Sequence, residues 1–269
     1  MREINCRDIS SKVAAAVIKA NQYLPADILK ALEEAVKKET LPTAKNILNI
    51  LLENAQIAAQ EKMALCQDTG MVVIDVKIGQ DVHIVGGNLE KALNEGVRKG
   101  YIEGYLRKSV VNDPLMRINT QDNTPCIVHY HIVEGDKLQL TIFPKGAGSE
   151  NMGQVAMLKP SHGLAGVKDF VLKVVKEAGG NPCPPIIIGV GIGGNMEKAA
   201  FLAKKALLRP IDIRNLDPKI ADLEVEWLEA VNDLGIGPQG LGGKTTALGL
   251  NIEVFATHIA SLPVAVNLG

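Results

Sequence analysis

The stretch Ile186-Ile187-Ile188-Gly189-Val190-Gly191-Ile192-Gly193-Gly194, with Met196–Leu208 after it, decides the fold class. Three consecutive isoleucines and a valine read as a buried strand, and the apolar period then lengthens to that of a helix. The glycines match GxGxxG in the strand-to-helix context that a dinucleotide fold requires, and Asp212 lies downstream as a candidate acidic partner. However, Arg209-Pro210 follows the helix at once and leaves almost no room for a second strand ending at Asp212. A tight turn with backbones packed closely accounts for the glycines. A nucleotide-binding oxidoreductase working through Gly189–Gly194 is the alternative from another enzyme class. A third reading gives the helix N-terminus a carboxylate to bind.

Working outward, helices and strands mix along the chain. The N-terminal 62 residues read as helices: one from Asp8 with apolar residues at helical spacing, Ala26–Lys38 started by Pro25, and Ala44–Lys62 capped by Thr43. Met71–Ile78 reads as a strand and Asn88–Lys108 as a helix. Cys126–Val133 and Lys137–Phe143 read as a hairpin about the turn Glu134-Gly135-Asp136. Gly166–Ala178 and Ala221–Leu234 read as helices and Leu248–Thr257 as a strand. The fold class is therefore α+β (mixed α/β), an N-terminal helical region followed by a mixed sheet with packed helices. With no repeat and no low-complexity linker, one compact domain over residues 1–269 is the simplest expectation.

Composition narrows the function. Lys+Arg number 29 and Asp+Glu 30, so no net charge draws the chain to nucleic acid or an anionic membrane. Aromatics are 3%, too few for base-stacking platforms. The longest apolar runs, Pro184–Gly194 and Ser261–Gly269, are strand-sized, short of the roughly 18 residues of a membrane span. The N-terminus lacks a basic segment leading into an apolar stretch, so the expected location is cytoplasmic. The four cysteines, Cys6, Cys66, Cys126 and Cys183, are widely spaced with no CxxC pair, so any metal site must be assembled from distant loops.

Two further motifs mislead. Gly242-Gly243-Lys244-Thr245 suggests a phosphate loop, but Pro238 stands where that pattern needs glycine. His129 and His131 share a strand face without an acidic or cysteine neighbour in sequence, and structural histidines are the simpler reading.

Two loops carry more chemistry than a connection needs. Cys66-Gln67-Asp68-Thr69-Gly70 sets a thiol, an amide, a carboxylate and a hydroxyl in consecutive positions before an apolar strand. Asn181-Pro182-Cys183-Pro184-Pro185 stiffens one thiol with three prolines. A rigid loop of this kind suits a metal ligand. His258 follows a strand, a usual place for an acid or base.

CQDTG (66–70), NTQDNTPCIVHYHIVEGD (119–136), PKGAGSENM (144–152), NPCPPIIIGVGIGG (181–194) and THIASLPVAVN (257–267) occur in one order over nearly the whole chain. Together they resemble the alpha subunit of the iron–sulfur class I hydro-lyases, fumarate hydratase with L-tartrate dehydratase close behind. The resemblance implies a [4Fe–4S] cluster held by three thiolates, with Cys66 and Cys183 on two ligand positions. The family's third cysteine follows the motif that is here His258–Val264, and its spacing puts that residue just beyond Gly269. The abrupt end on an apolar run reads as a chain that continues. Service by Cys126, or no cluster at all, are the alternatives, and Cys6 reads as an ordinary residue.

The resemblance further implies reversible hydration of fumarate to malate as the first expectation and L-tartrate dehydration as the alternative. Gln67, Arg107, Gly146 and Gly148 fall on substrate-binding positions, and Asp68 and His258 on catalytic ones, with His258 the candidate for proton transfer to the leaving hydroxyl. A hydro-lyase beta subunit is the expected partner in a hetero-oligomer and would supply the carbon base, so this chain alone is expected to be inactive. A cluster-less scaffold for that partner is a further alternative.

Overall fold

The computed structural model describes residues 1–269. Along the chain run β1 (Arg2–Asn5), α1 (Cys6–Gln22), α2 (Ala26–Lys38), α3 (Pro42–Glu61), β2 (Met71–Gly79), β3 (Val82–Val85) and α4 (Leu89–Glu103). Then come β4 (Ile127–Val133), β5 (Leu138–Lys145), α5 (Ala147–Glu150), β6 (Gln154–Leu158), a 3-10 turn at Pro160–His162 and α6 (Gly163–Ala178). The last third holds β7 (Ile186–Gly194), α7 (Met196–Ala206), α8 (Pro218–Asn232), a 3-10 turn at Pro238–Gly240, β8 (Ala247–Thr257) and β9 (Leu262–Leu268). This is the mixed α+β fold that the alternation of periods predicts. No helix is long and apolar enough to cross a membrane.

The chain divides into two compact units, Met1–Leu24 with Asn54–Ala147, and Pro25–Glu53 with Gly148–Gly269. In the first unit, the Asn5 side chain caps α1 by accepting from the Arg7 amide, and Ile9, Val13 and Val17 face inward. These meet Leu93, Val97 and Tyr101 of α4 and Val72, Ile74 and Val76 of β2 in one core. A Cβ at Gly96 would stand 2.7 Å from the Ser10 carbonyl oxygen, so α4 and α1 approach as closely as only glycine allows.

The expected hairpin is corrected here. β4 and β5 flank β2 in the order β4-β2-β5, with β4 parallel and β5 antiparallel to it. β2 is buried on both sides by pairing and takes the centre, so the sequence neighbours β4 and β5 become the two edges.

In the second unit the strand order is β6-β9-β7-β8, with β7 parallel to β8 and antiparallel to β9. Val167, Phe170, Val171 and Val174 of α6 and Trp227 and Val231 of α8 form the core with Ile188, Val190, Leu250, Ile252, Val264 and Val266. Ala199 and Ala203 of α7 pack on Ala265. A Cβ at Gly189 or Gly191 would lie 2.1 Å from the carbonyl oxygen of Ala203 or Ala199. Those glycines therefore seat α7 flush on the strand, the packing role they have in the simpler reading. After α7 comes the turn at Asp212 and then α8, so no strand ends at that acidic residue and the nucleotide alternative lacks its second half-site.

Arg209 holds this turn in place. It pairs with the fully buried Glu224 and with Glu253 at 3.2 Å, and donates to the Ile213 carbonyl at 2.7 Å. The glycine-rich loop at Gly242–Lys244 folds over Glu39, which accepts from the Lys244 amide at 2.7 Å. Burial of Glu39 pushes its carboxyl up, but amides of Leu41, Lys244 and Thr40 outweigh it and hold the group below its usual range. The loop thus already serves an anion of its own chain.

Candidate active site

The first unit gathers four of the expected site residues. Gly70 has φ +70° and a Cβ there would stand 2.5 Å from the Lys145 carbonyl carbon, so the CQDTG loop lies directly on the start of the glycine loop. Asp68 exploits that approach. Its Oδ1 accepts from the Gly70 amide at 3.0 Å and its Oδ2 from the Ala147 amide at 2.8 Å. Gly146 sits against the same carboxylate, 3.2 Å from Oδ2 to an added Cβ. Arg107 is exposed, and its Nη1 reaches Gln67 Oε1 at 3.4 Å. Gln67, Asp68, Arg107 and Gly146 therefore share one place, built from loops at positions 66–70, 105–110 and 145–147.

A buried scaffold lies beneath them. Tyr101 Oη donates toward the carbonyls of Thr69 (2.5 Å) and Gly70 (3.0 Å), and Thr69 Oγ1 donates to the Arg107 carbonyl at 3.0 Å. Burial pushes the Tyr101 hydroxyl far above its usual range, which keeps it a donor. Asn123 donates from Nδ2 to the Gly70 carbonyl at 3.0 Å and accepts at Oδ1 from the amides of Ser109 and Val110 at 2.7 and 3.2 Å. Sequence reasoning passed over Tyr101 and Asn123. For Asn123 a signal existed, its place inside the NTQDNTP segment.

The second unit places Gly148 beside the proline loop. A Cβ on Gly148 would stand 3.3 Å from the Asn181 carbonyl oxygen. Cys183 is exposed, with φ +57° and its amide bound to the Gly180 carbonyl at 3.0 Å. The Pro184 carbonyl accepts from the Gln239 amide at 2.7 Å and its side chain at 3.1 Å, which pins the loop. Glu150 at the end of α5 pairs with Lys204 and accepts from Asn267 Nδ2 at 3.2 Å. Gly269 exchanges two backbone bonds with Ile187, at 2.7 and 2.8 Å, so β9 ends at the Cys183 end of the sheet.

His258 stands elsewhere. It follows Thr257, which pairs with Gly194 at the far end of the parallel strands β7 and β8. Cys183 precedes β7, and eight strand steps amount to about 26 Å. Parallel pairing thus carries the C-terminal ends of β7 and β8, with His258 just beyond the latter, away from the loop of Cys183. The Ala260 amide donates to His258 Nδ1 at 3.1 Å, so the neutral ring carries its proton on Nε2.

The donor chemistry of the thiols divides cleanly. Cys66 and Cys183 are exposed, whereas Cys6 and Cys126 are buried in the core of the first unit. Burial pushes the Cys126 thiol up to about 11, which opposes the thiolate a metal needs. No group of three or more His, Cys, Asp or Glu side chains is placed to hold a metal ion. His131 instead bonds Asp75 at 2.8 Å. Cys66 and Cys183 are thus the two thiols whose exposure leaves them open to a metal.

The family model described as Fumarate hydratase (Fumerase) matches residues 10–269, and the chain belongs to that family of hydro-lyases. A protein of Methanocaldococcus jannaschii named putative L(+)-tartrate dehydratase subunit alpha is 46% identical over 264 residues, covering 96% of this chain and 92% of its own. The L(+)-tartrate dehydratase alpha subunits of Escherichia coli O157:H7 and strain K12 are each 35% identical over 250 residues, 91% of this chain and 82% of theirs.

Proposed function

We propose that this chain is the alpha subunit of an iron–sulfur hydro-lyase that dehydrates L-tartrate together with a beta subunit. The observation that carries the reading is the convergence of Gln67, Asp68, Arg107 and Gly146 beside the exposed Cys66. The names of the relatives favour tartrate over fumarate, reversing the order expected from sequence. Fumarate hydration is the second reading, supported by the description of the family model. Both reactions move water on or off a dicarboxylate carbon skeleton, and the same loops serve either.

Cys66 and Cys183 would each give one thiolate to a [4Fe–4S] cluster, and both units would work as one catalytic domain. When bound with three thiolates, such a cluster supplies an open, Lewis-acidic iron. Arg107 takes a substrate carboxylate through its guanidinium, a geometry suited to bidentate contact. Gln67 accepts from Arg107 and thereby keeps its amide N–H2 for the substrate. Gly146 and Gly148, lacking side chains, would let backbone approach an anionic group of the substrate closely. Asp68, fixed by two amides, keeps further lone pairs and accepts a hydrogen bond from the substrate hydroxyl, which orients that group for departure. Proton transfer to the leaving hydroxyl stays with His258 as the sequence-based candidate. The base for the carbon-bound proton is assigned to the beta subunit.

The test is anaerobic assay of this chain with and without a beta partner, on L-tartrate and on fumarate. The reading requires turnover of L-tartrate by the pair and none by the chain alone. Faster turnover of fumarate than of tartrate would move the assignment to the second reading.

A further inference from the structure

We propose that Asn123 is a positioning residue that hangs both substrate-binding loops of the first unit from a single side-chain amide. The proposal rests on the hydro-lyase reading. Asn123 is fully buried and has none of the roles assigned above to the reaction. Its backbone has φ +62°, a left-handed conformation that asparagine adopts more readily than most residues. The neighbouring Asp122 anchors that turn, accepting from the Thr124 amide at 3.0 Å, from Thr124 Oγ1 at 2.8 Å and from Arg98 Nε at 2.8 Å.

The bonds of the Asn123 amide point two ways. Nδ2 donates to the Gly70 carbonyl, two residues from Asp68. Oδ1 accepts from the amides of Ser109 and Val110, two and three residues from Arg107. Asp68 in turn receives the Gly70 amide, and Thr69 bonds the Arg107 carbonyl. A side chain that merely filled space would need no such division of donor and acceptor. A buried amide lost from this place strands the Ser109 and Val110 amides in the interior and leaves the Gly70 carbonyl to Tyr101 alone. The loop of Asp68 and the loop of Arg107 are thus bridged from beneath by one buried side chain, beside the direct bond from Thr69 to the Arg107 carbonyl.

Two variants separate the halves. Asn123→Asp keeps an acceptor for Ser109 and Val110 but turns an oxygen toward the Gly70 carbonyl, so it disturbs only the loop of Asp68. Asn123→Ala releases both loops. In the reconstituted alpha–beta enzyme, Asn123→Asp should lower kcat about tenfold with KM changed less than about threefold, while Asn123→Ala should also raise KM about tenfold. Amide exchange on the full alpha chain gives the second readout. Gly70 and Ala147 should exchange faster in both variants, Ser109 and Val110 faster only in Asn123→Ala. Folded variants with a lowered melting temperature but unchanged kcat and KM would reduce Asn123 to a structural residue and overturn the proposal. Should Asn123→Ala fail to fold, Asn123→Asp decides alone. Should the wild-type pair turn over no dicarboxylate, the hydro-lyase reading falls, and unchanged exchange at Gly70 and Ala147 would separately remove Asn123 from its role.

Discussion

Asp68 Oδ2 accepts the Ala147 amide at 2.8 Å across 79 residues of sequence. One carboxylate therefore ties the loop that follows Cys66 to the glycine loop that follows β5. The tie needs an acceptor at both oxygens, because Oδ1 is already engaged by the Gly70 amide.

Asp68→Asn is expected to break it. The amide can keep one acceptor but must turn an N–H2 group toward the other amide. With the charged acceptor for the substrate hydroxyl also lost, kcat of the reconstituted enzyme should fall about 100-fold or more. Steady-state assay checks this, and a variant retaining a tenth of wild-type kcat would remove Asp68 from the mechanism.

Arg107 should govern binding. Arg107→Lys keeps the charge but gives up the planar fork. A lost charge-assisted bond is worth about 1.5–3 kcal/mol, so KM for the dicarboxylate should rise roughly 10- to 100-fold with a smaller change in kcat. An unchanged KM would place the substrate carboxylate elsewhere.

The thiols should sort by reactivity in the alpha chain without its cluster. Cys66 and Cys183 are exposed and should alkylate quickly at pH 8, whereas Cys6 and Cys126 should react only on unfolding. The Cys126 thiol, near 11 through burial, carries little thiolate at that pH. Peptide mapping after a brief iodoacetamide pulse reads this directly. Rapid labelling of Cys126 would return it to the set of candidate ligands.

Asp122 predicts an acid dependence. Burial raises its carboxyl, but bonds from Thr124 and Arg98 outweigh that and hold it at about 2, below the ordinary 3.8. A depressed folded-state value stabilises the native state above the unfolded value and loses that contribution as pH falls toward 2. Asp122→Asn should therefore destabilise the chain at pH 7, and the gap in denaturation midpoint should close between about pH 4 and pH 2. Arg98 is 40% exposed, so solvent screening keeps its own share small. A gap that persists unchanged at the acid end would mean that the charge of Asp122 is not what matters.

The helices were legible where caps and period coincide. Pro25 and the apolar spacing after it give Ala26–Lys38 to the residue, and Asn88 caps α4 through the Lys91 amide. β1 was not legible, because Arg2–Asn5 pairs with Val82–Val85 through backbone alone and carries no apolar alternation. Nor was the placing of β2 between β4 and β5. The local pattern shows strands and turns, whereas the pairing of Ile74 with both Val128 and Ile142 is decided by burial of β2 from both edges. At the site, the density of functional groups at Cys66–Asp68 marked that loop in advance. Asn123 had only its place inside the NTQDNTP segment to mark it, since its partners are backbone groups up to 53 residues distant. His258 was read as a strand-end residue, and it is one. Which end depends on strand direction in the sheet, and only the register of β7 with β8 fixes that.

The central claim is that Cys66 begins a loop that works on a hydroxy dicarboxylate only when a partner chain completes the site. Anaerobic turnover of L-tartrate to its 2-oxo diacid, measured for the iron- and sulfide-reconstituted alpha–beta pair, for the alpha chain alone and for the pair carrying Cys66→Ser, tests it most directly. The account predicts product from the wild-type pair and none from the other two. Product from the isolated alpha chain, or from the Cys66→Ser pair at the wild-type rate, would contradict it.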